Sequence, residues 1–476
     1  MLYFFSCVAA LVLGYFLYGK FVDNAFGPEA DRLTPARKLA DGVDYVEMSP
    51  RKIFLIQLLN IAGLGPIFGP ILGALYGPSA LLWIVIGCIF GGAVHDYFSG
   101  MLSIRHGGKS IPDVVGFQLG NAFKQFMRVF SIILLLLVGV IFVVGPAGLL
   151  AKLSSLSVPV WVGIIFCYYF LATILPINKI IGRIYPLFGA ILIFMAVGLT
   201  GALMFQGYEL FPEMTFSNLH PKDLPLWPLM FITIACGAIS GFHATQSPLM
   251  ARCVGNERDG RKLFYGSMIG EGIIALIWAT LGMAFYNGSE ALSGALGNGG
   301  PAAVVNEIST TLLGPVGGLL AIIGVIILPI SSGDTAFRSA RLIIADTINV
   351  KQKAVAKRLL LAVPLFLIGF IISQTEFGII WRYFGWANQT LATIVLWAGA
   401  AYMIQRGRNH WIGTVPATFM TAVATTYLAY AKIGFGLSLN ISSLIGIITA
   451  IGCLAAFLLR FHNTPDLSEQ PVPEAD

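Results

Sequence analysis

The run Ile327-Leu-Pro-Ile-Ser-Ser-Gly-Asp-Thr-Ala-Phe-Arg338 places Ser331, Asp334, Thr335 and Arg338 on one face of a helix. Two hydroxyls and a carboxylate are hard oxygen ligands that suit a cation such as Na+. The carboxylate can instead carry a coupled proton, or pair with Arg338 at i,i+4 as a neutral bridge. Three further ionisable sites stand in apolar surroundings: His95-Asp96, His243 and Glu271. The first suits a proton relay or hydrogen-bonded packing. His243 suits substrate contact, protonation or a structural bond. Glu271 has no cation near it in sequence and needs a remote partner or a proton. Asn388-Gln389, after Phe384-Gly-Trp-Ala387, offers neutral amides for interhelical bonding, gating or contact with a polar substrate.

The elements that hold these groups are apolar throughout. Of the 476 residues 57% are hydrophobic and only 11% charged, and mean hydropathy is +0.82. Soluble domains carry about 25% charged residues, so the composition specifies an all-α polytopic membrane protein, one transmembrane domain over 1–476. An ionisable group at the centre of a bilayer costs at least about 2.5 kcal/mol on insertion scales, and so each one named above needs a partner or a wet cavity. The net charge of +6 is dispersed among loops and is no nucleic-acid signal. The partners expected are a small-molecule substrate and the lipid bilayer. The six cysteines show no Cys-x-x-Cys pair and no Cys/His cluster in sequence, so their spacing implies neither disulfide frame nor metal site.

A crossing needs about 20 mostly apolar residues. Thirteen segments meet this: 2–22, 53–77, 79–104, 126–151, 158–178, 184–206, 227–251, 265–287, 315–345, 354–374, 378–404, 412–431 and 440–460. The first lacks a basic n-region and a small-residue cleavage site, and reads as a retained helix. Segments 110–121 and 300–313 read as interfacial, and 465–476 as a disordered acidic tail. With the N-terminus outside, 23 of the 29 basic residues fall in loops or tail on the cytoplasmic side. Only Lys152, Lys222, Arg382 and Lys432 fall opposite. This asymmetry supports an N-out, C-in orientation.

Two of the segments are interrupted. Asn60-Ile-Ala-Gly-Leu-Gly-Pro-Ile-Phe-Gly-Pro70 breaks the second, and Gly237-Ala-Ile-Ser-Gly-Phe-His-Ala-Thr-Gln-Ser-Pro248 breaks the seventh. Proline removes a donor and glycine weakens a helix, and backbone freed inside a membrane must be satisfied by protein, water, ion or substrate. The breaks lie five segments apart and enter from opposite sides, the pattern of an inverted-repeat transporter. The first repeat is 53–206 and the second 227–404, with a leading helix at 1–22 and two trailing helices in 412–460. Candidate substrate-binding residues are Gly63, Gly65, Pro66, Gly69, Gly241, Phe242, His243, Asn388 and Gln389. Candidates for ion or proton coupling are His95, Asp96, Glu271, Ser331, Asp334, Thr335 and the carbonyl of Ala62. Of these, Ala62, Ser331, Asp334 and Thr335 form a sodium site if sodium is the ion.

At these residues the chain resembles the carbon-starvation (CstA) transporters. The matching pieces are Thr34-Pro35, Asp41-Gly42-Val-Asp44-Tyr45, Ile61-Ala-Gly-Leu-Gly-Pro-Ile-Phe-Gly-Pro70 and Gly92-Ala-Val-His-Asp96. They continue with Ala235-Cys-Gly-Ala-Ile-Ser-Gly-Phe-His-Ala244, Glu271, Asp334 with Arg338-Ser-Ala-Arg341, and Ala387-Asn-Gln389. The chain departs from the best-known enterobacterial members in being shorter, and in His95 where glutamine is usual. The resemblance implies a LeuT-like secondary transporter of the bacterial inner membrane, with pyruvate or peptide as cargo and proton symport. Sodium coupling to an amino acid or organic acid is the alternative, and an ion channel a weaker one. No His-Glu-x-x-His, nucleophile elbow or phosphate loop stands in the chain, so no enzyme and no cofactor are expected.

Overall fold

The computed structural model describes residues 2–461 apart from 43, 175–177, 211–214, 351 and 353, with the backbone alone for 178–186. The acidic tail expected at 465–476 lies outside the described residues. Helix occupies every one of the thirteen expected segments, and the described residues contain no strand, only an isolated bridge between Met48 and Val254. By length and apolarity alone nine helices can cross a membrane, or ten with one bent pair counted as a single crossing. The expected number of thirteen exceeds this. Val158–Ile174 is short, the seventh segment is split into halves too small to count singly, and Phe377–Gln405 is not among the helices that qualify.

Segment 2 consists of Pro50–Ile61 and Gly65–Gly73, bent by 48°. The chain leaves helical geometry at Ala62, and Pro66 opens the second half, where a missing N–H is tolerated. Segment 7 consists of Leu226–Thr233 and Phe242–Ala251, with eight residues between them and Gly237 at φ +87°. That left-handed backbone is one that glycine adopts without steric cost. Segment 3 (Ser79–Arg105) contains a π turn at Gly87–Gly92. There a Cβ on Gly92 would lie 2.2 Å from the carbonyl oxygen of Ala238, so glycine lets segment 3 approach the break of segment 7. Segment 8 is Gly266–Phe285, preceded by a π turn at Arg261–Tyr265. Segment 9 lies within Gly300–Thr347, whose helix is interrupted at Gly314 (φ +68°), where the sequence reading ends its interfacial stretch.

Packing follows from these breaks. The second half of segment 2 lies against segment 8, the second half of segment 7 against segment 3, and segment 9 along Asn121–Leu153, segment 4. The outermost helices present their apolar side chains outward, as Leu439–Phe461 does with Leu444, Ile448 and Leu459. This is the expected arrangement where lipid replaces water as the surrounding medium.

Candidate functional site

The two breaks meet. A Cβ on Gly65 would fall 2.3 Å from Sγ and 2.4 Å from Cβ of Cys236, and one on Gly237 would reach Ala275 and Pro66. Further along, a Cβ on Gly69 would lie 3.0 Å from the carbonyl oxygen of Thr233, and one on Gly73 would overlap Ile234. The glycines of segment 2 therefore form a flat face on which the unwound part of segment 7 lies. Gly63 differs, because its open side faces the ring of Phe142 on segment 4.

The backbone freed in segment 7 is satisfied by neighbouring side chains. Trp83 Nε1 donates to the carbonyl of Ile234 at 3.0 Å, and Phe242 N–H donates to Asn388 Oδ1 at 2.7 Å. Asn388 Nδ2 in turn donates to Ser240 Oγ at 3.1 Å, and Gly241 N–H donates to the backbone carbonyl of Asn388 at 3.2 Å. Asn388, on Phe377–Gln405 (segment 11), thus acts as a remote N-cap for the second half of segment 7. Gln389 Nε2 donates to the carbonyl of Phe231 at 3.1 Å. Both amides make the interhelical bonds that were one of the sequence readings for them.

Four ionisable groups converge beside this break, all with side chains that are 0% exposed. Asp96 accepts through both oxygens, from His95 Nδ1 at 2.8 Å and from His243 Nδ1 at 2.9 Å. A carboxylate used in this way requires each Nδ1 to carry the proton, which directs the second nitrogen of each ring elsewhere. His243 Nε2 points to Glu271 Oε2 at 3.3 Å. Glu271 thus faces a remote ring nitrogen at ion-pair distance, and His95, Asp96, His243 and Glu271 form one chain across segments 3, 7 and 8. The sequence spacing shows no Cys/His cluster, yet in space Cys236 Sγ, a ring nitrogen of His243 and a carboxylate oxygen of Glu271 lie within 4.8 Å of one another.

The face on segment 9 stands apart from this chain. Asp334 pairs with Arg338 at 2.8 Å, the i,i+4 bridge. Ser331 and Thr335 donate their hydroxyls to the carbonyls of Leu328 and Ser331, both at 2.8 Å. Ser332, which the sequence reading passed over, reaches segment 2, with its Oγ 3.4 Å from the carbonyl of Leu59, three residues before Ala62. Two more buried amides were also missed. Both side-chain atoms of Gln57 and the Oε1 of Gln246 have no hydrogen-bond partner, although these residues are fully buried on helix halves packed together. Neither carries a sequence signal, since glutamine is an ordinary helix residue.

At one end of the bundle Glu257, wholly buried, gathers charges from distant parts of the chain. Arg105 Nε donates to it at 3.0 Å, the N–H of Glu29 donates to it at 2.8 Å, and Arg32 stands 3.5 Å away. Arg105 also bonds the carbonyl of Gly27 and the hydroxyl of Tyr402.

A family model described as "Carbon starvation protein CstA" matches residues 1–149, 143–309 and 288–427. An uncharacterized membrane protein of Haemophilus influenzae is 50% identical over 63% of this chain and 95% of its own length. The peptide transporter CstA of Campylobacter jejuni is 26% identical over 90% of this chain and 79% of its own. Among solved structures, the nucleobase-cation-symport-1 family transporter Mhp1 superposes with a TM-score of 0.56 at 15% identity, over 91% of this chain and 98% of that one. The fold is that of the LeuT-like membrane transporters.

Proposed function

The chain belongs to the carbon starvation CstA family, and from that premise we propose that it imports a small carboxylate-bearing nutrient, pyruvate or a short peptide, by proton-coupled symport with alternating access. The observation that carries this reading is the contact of the two breaks, Gly65 on Cys236 and Gly237 by Pro66. Paired interruptions deep in a bundle are where transporters of this fold class bind cargo. The substrate carboxylate sits at the start of Gly65–Gly73, a half-helix with no side-chain cap, where the helix dipole favours an anion. Gln57 supplies an open donor for a keto or peptide carbonyl oxygen, and Gln57 and Gln246 supply open amide oxygens for a peptide N–H.

Charge arithmetic supports coupling to a cation. With Asp96 and Glu271 ionised and one imidazolium between them, the buried cluster carries one uncompensated negative charge, which one added cation neutralises. In the N-out orientation the Glu257 cluster lies on the cytoplasmic side and holds that side shut. The membrane is the bacterial inner membrane, as the family resemblance implies. A sodium reading, with Ala62, Ser331, Asp334 and Thr335 as ligands, draws on the approach of Ser332 to Leu59.

The test is uptake into proteoliposomes of labelled pyruvate and a dipeptide panel, with proton and sodium gradients imposed separately. Saturable uptake that follows the proton gradient and shows counterflow is expected. Uptake driven by sodium alone transfers coupling to segment 9, and conductance without counterflow overturns the symport reading.

A further inference from the structure

The chain of ionisable groups at the break of segment 7 has the donor set and the surroundings of a transition-metal site. Cys236, His243 and Glu271 each offer one ligand atom, and the three atoms lie within 4.8 Å of one another. Ligand atoms around a tetrahedral zinc ion, with bonds of about 2.0–2.3 Å, are separated by roughly 3.5 Å. Small side-chain rotations close that difference. Among the described residues, His243 Nε2 and both oxygens of Glu271 complete no hydrogen bond in their wholly buried setting, and Nε2 and Oε2 stand at ion-pair distance from each other. Nε2 and Oε2 face each other at 3.3 Å, and a metal ion bound by both takes the place of the proton that an imidazolium holds on Nε2.

The surroundings of His243 point the same way. Metal-binding histidines commonly donate their other ring N–H to a carboxylate, which fixes the tautomer and aims the free nitrogen at the metal. His243 Nδ1 bonds Asp96 Oδ2 at 2.9 Å, and Asp96 is itself held by His95 at 2.8 Å. The ring is therefore oriented by a supporting pair on segment 3, with Nε2 directed at Glu271. Sulfur and imidazole nitrogen exclude Na+, Mg2+ and Ca2+, which take oxygen ligands, and select a d-block dication. Ser240 Oγ lies 3.4 Å from Cys236 Sγ and is a further oxygen beside the three ligand atoms.

We propose that Cys236, His243 and Glu271 bind a divalent d-block cation of the Zn2+ class, oriented by Asp96, and that the ion ties the unwound part of segment 7 to segment 8. Gly65 rests on Cys236, so a metal there also fixes the place where the two breaks meet. The inference does not depend on which nutrient is carried, because it is read on protein in detergent without a transport assay.

Tag-free full-length protein is equilibrated with Zn2+, desalted and analysed for metal, with about one ion per chain expected. Loading with Co2+ should give a thiolate-to-cobalt charge-transfer band in the near ultraviolet and intense visible bands of four-coordinate cobalt. Cys236→Ser should remove the near-ultraviolet band, and Asp96→Asn should weaken affinity by roughly 10- to 100-fold. Cys253→Ser, at another buried cysteine whose thiol bonds the carbonyl of Leu249, should change neither. Zn2+ should raise the melting temperature of the wild type and not that of Cys236→Ser, a comparison that holds even if the variant starts less stable. Substoichiometric zinc in the wild type, or a cobalt band that persists in Cys236→Ser, overturns the proposal.

Discussion

In segment 7 the N–H of Phe242 is taken by Asn388 and the carbonyl of Ile234 by Trp83, whereas in segment 2 the N–H groups of Ala62, Gly63, Ile67 and Phe68 are taken by carbonyls of the same segment. Both breaks come from the same residue chemistry, glycine and proline inside an apolar run. They differ in what the rest of the protein does with the backbone they release. Segment 7 is tied to segment 11 through Asn388 and to segment 3 through His243 and Asp96. Segment 2 contributes a flat glycine face and, at Gln57, an amide with both polar atoms unpaired among the described residues. One break is thus held by side chains of other segments, and the other mainly by its own backbone. Similar sequence motifs at inverted positions need not carry equal shares of a site.

The largest effect that can break this comparison is expected from Gly65→Leu. Any side chain there collides with Cβ of Cys236, which is fixed by its backbone and cannot rotate away. Uptake should fall more than about 100-fold, since a 1 Å displacement at a binding centre already costs that much. The transport assay is paired with a melting curve. A protein that folds normally and still transports would show that the two breaks do not act as one site. Asn388→Ala comes next and tests the other side. It strips the buried N–H of Phe242 of its acceptor and the Ser240 hydroxyl of a donor, a loss of about 1–3 kcal/mol for each group left unsatisfied. The melting temperature should drop by several degrees, and the residual uptake should keep its KM. A raised KM with unchanged melting would move Asn388 from the scaffold to the substrate.

Gln57→Leu separates a binding amide from a packing one. Replacing an unpaired buried amide by an apolar group of similar size is neutral or stabilising, so the melting temperature should hold or rise. If Gln57 faces the substrate, KM should increase about tenfold, the worth of roughly one hydrogen bond. A fall in stability with unchanged KM would show that the amide has a structural partner.

Much of this organisation is legible from residue types and order. The helical content, the positions of Gly63–Pro70 and Gly237–Pro248, the interruption near Gly314 and the Asp334–Arg338 pair all follow from local rules, because each depends on neighbours within one or two turns. The convergence of Asp96, His243 and Glu271 does not, since Asp96 and His243 are 147 residues apart and meet only when segments 3 and 7 pack. Cys236 illustrates the limit. Its sequence neighbours contain no cysteine and no metal-ligand spacing, and its nearness to Glu271 arises from the unwinding of segment 7 against segment 8. Gln57 was silent for the opposite reason, as nothing in its type departs from a helix interior and only its burial without a partner marks it.

The smallest expected effect decides on which side of the comparison the coupling cation resides. Asp334 and Arg338 form an i,i+4 pair whose arginine is about a quarter exposed, so Asp334→Asn leaves Arg338 able to turn toward solvent or lipid headgroups. The cost should be near 1 kcal/mol, at the upper end for partly exposed pairs, visible as a small drop in melting temperature. With the cation held between segments 3, 7 and 8, Asp334→Asn should concentrate substrate against the same proton gradient as the wild type. Glu271→Gln should lose gradient-driven uptake and retain counterflow, because exchange of substrate needs no net cation movement. The reverse pair of results, coupling lost in Asp334→Asn and kept in Glu271→Gln, would place the cation on segment 9 beside Ser331, Thr335 and the break of segment 2. The uncapped break would then carry both substrate and ion, and the tied break would serve as scaffold alone.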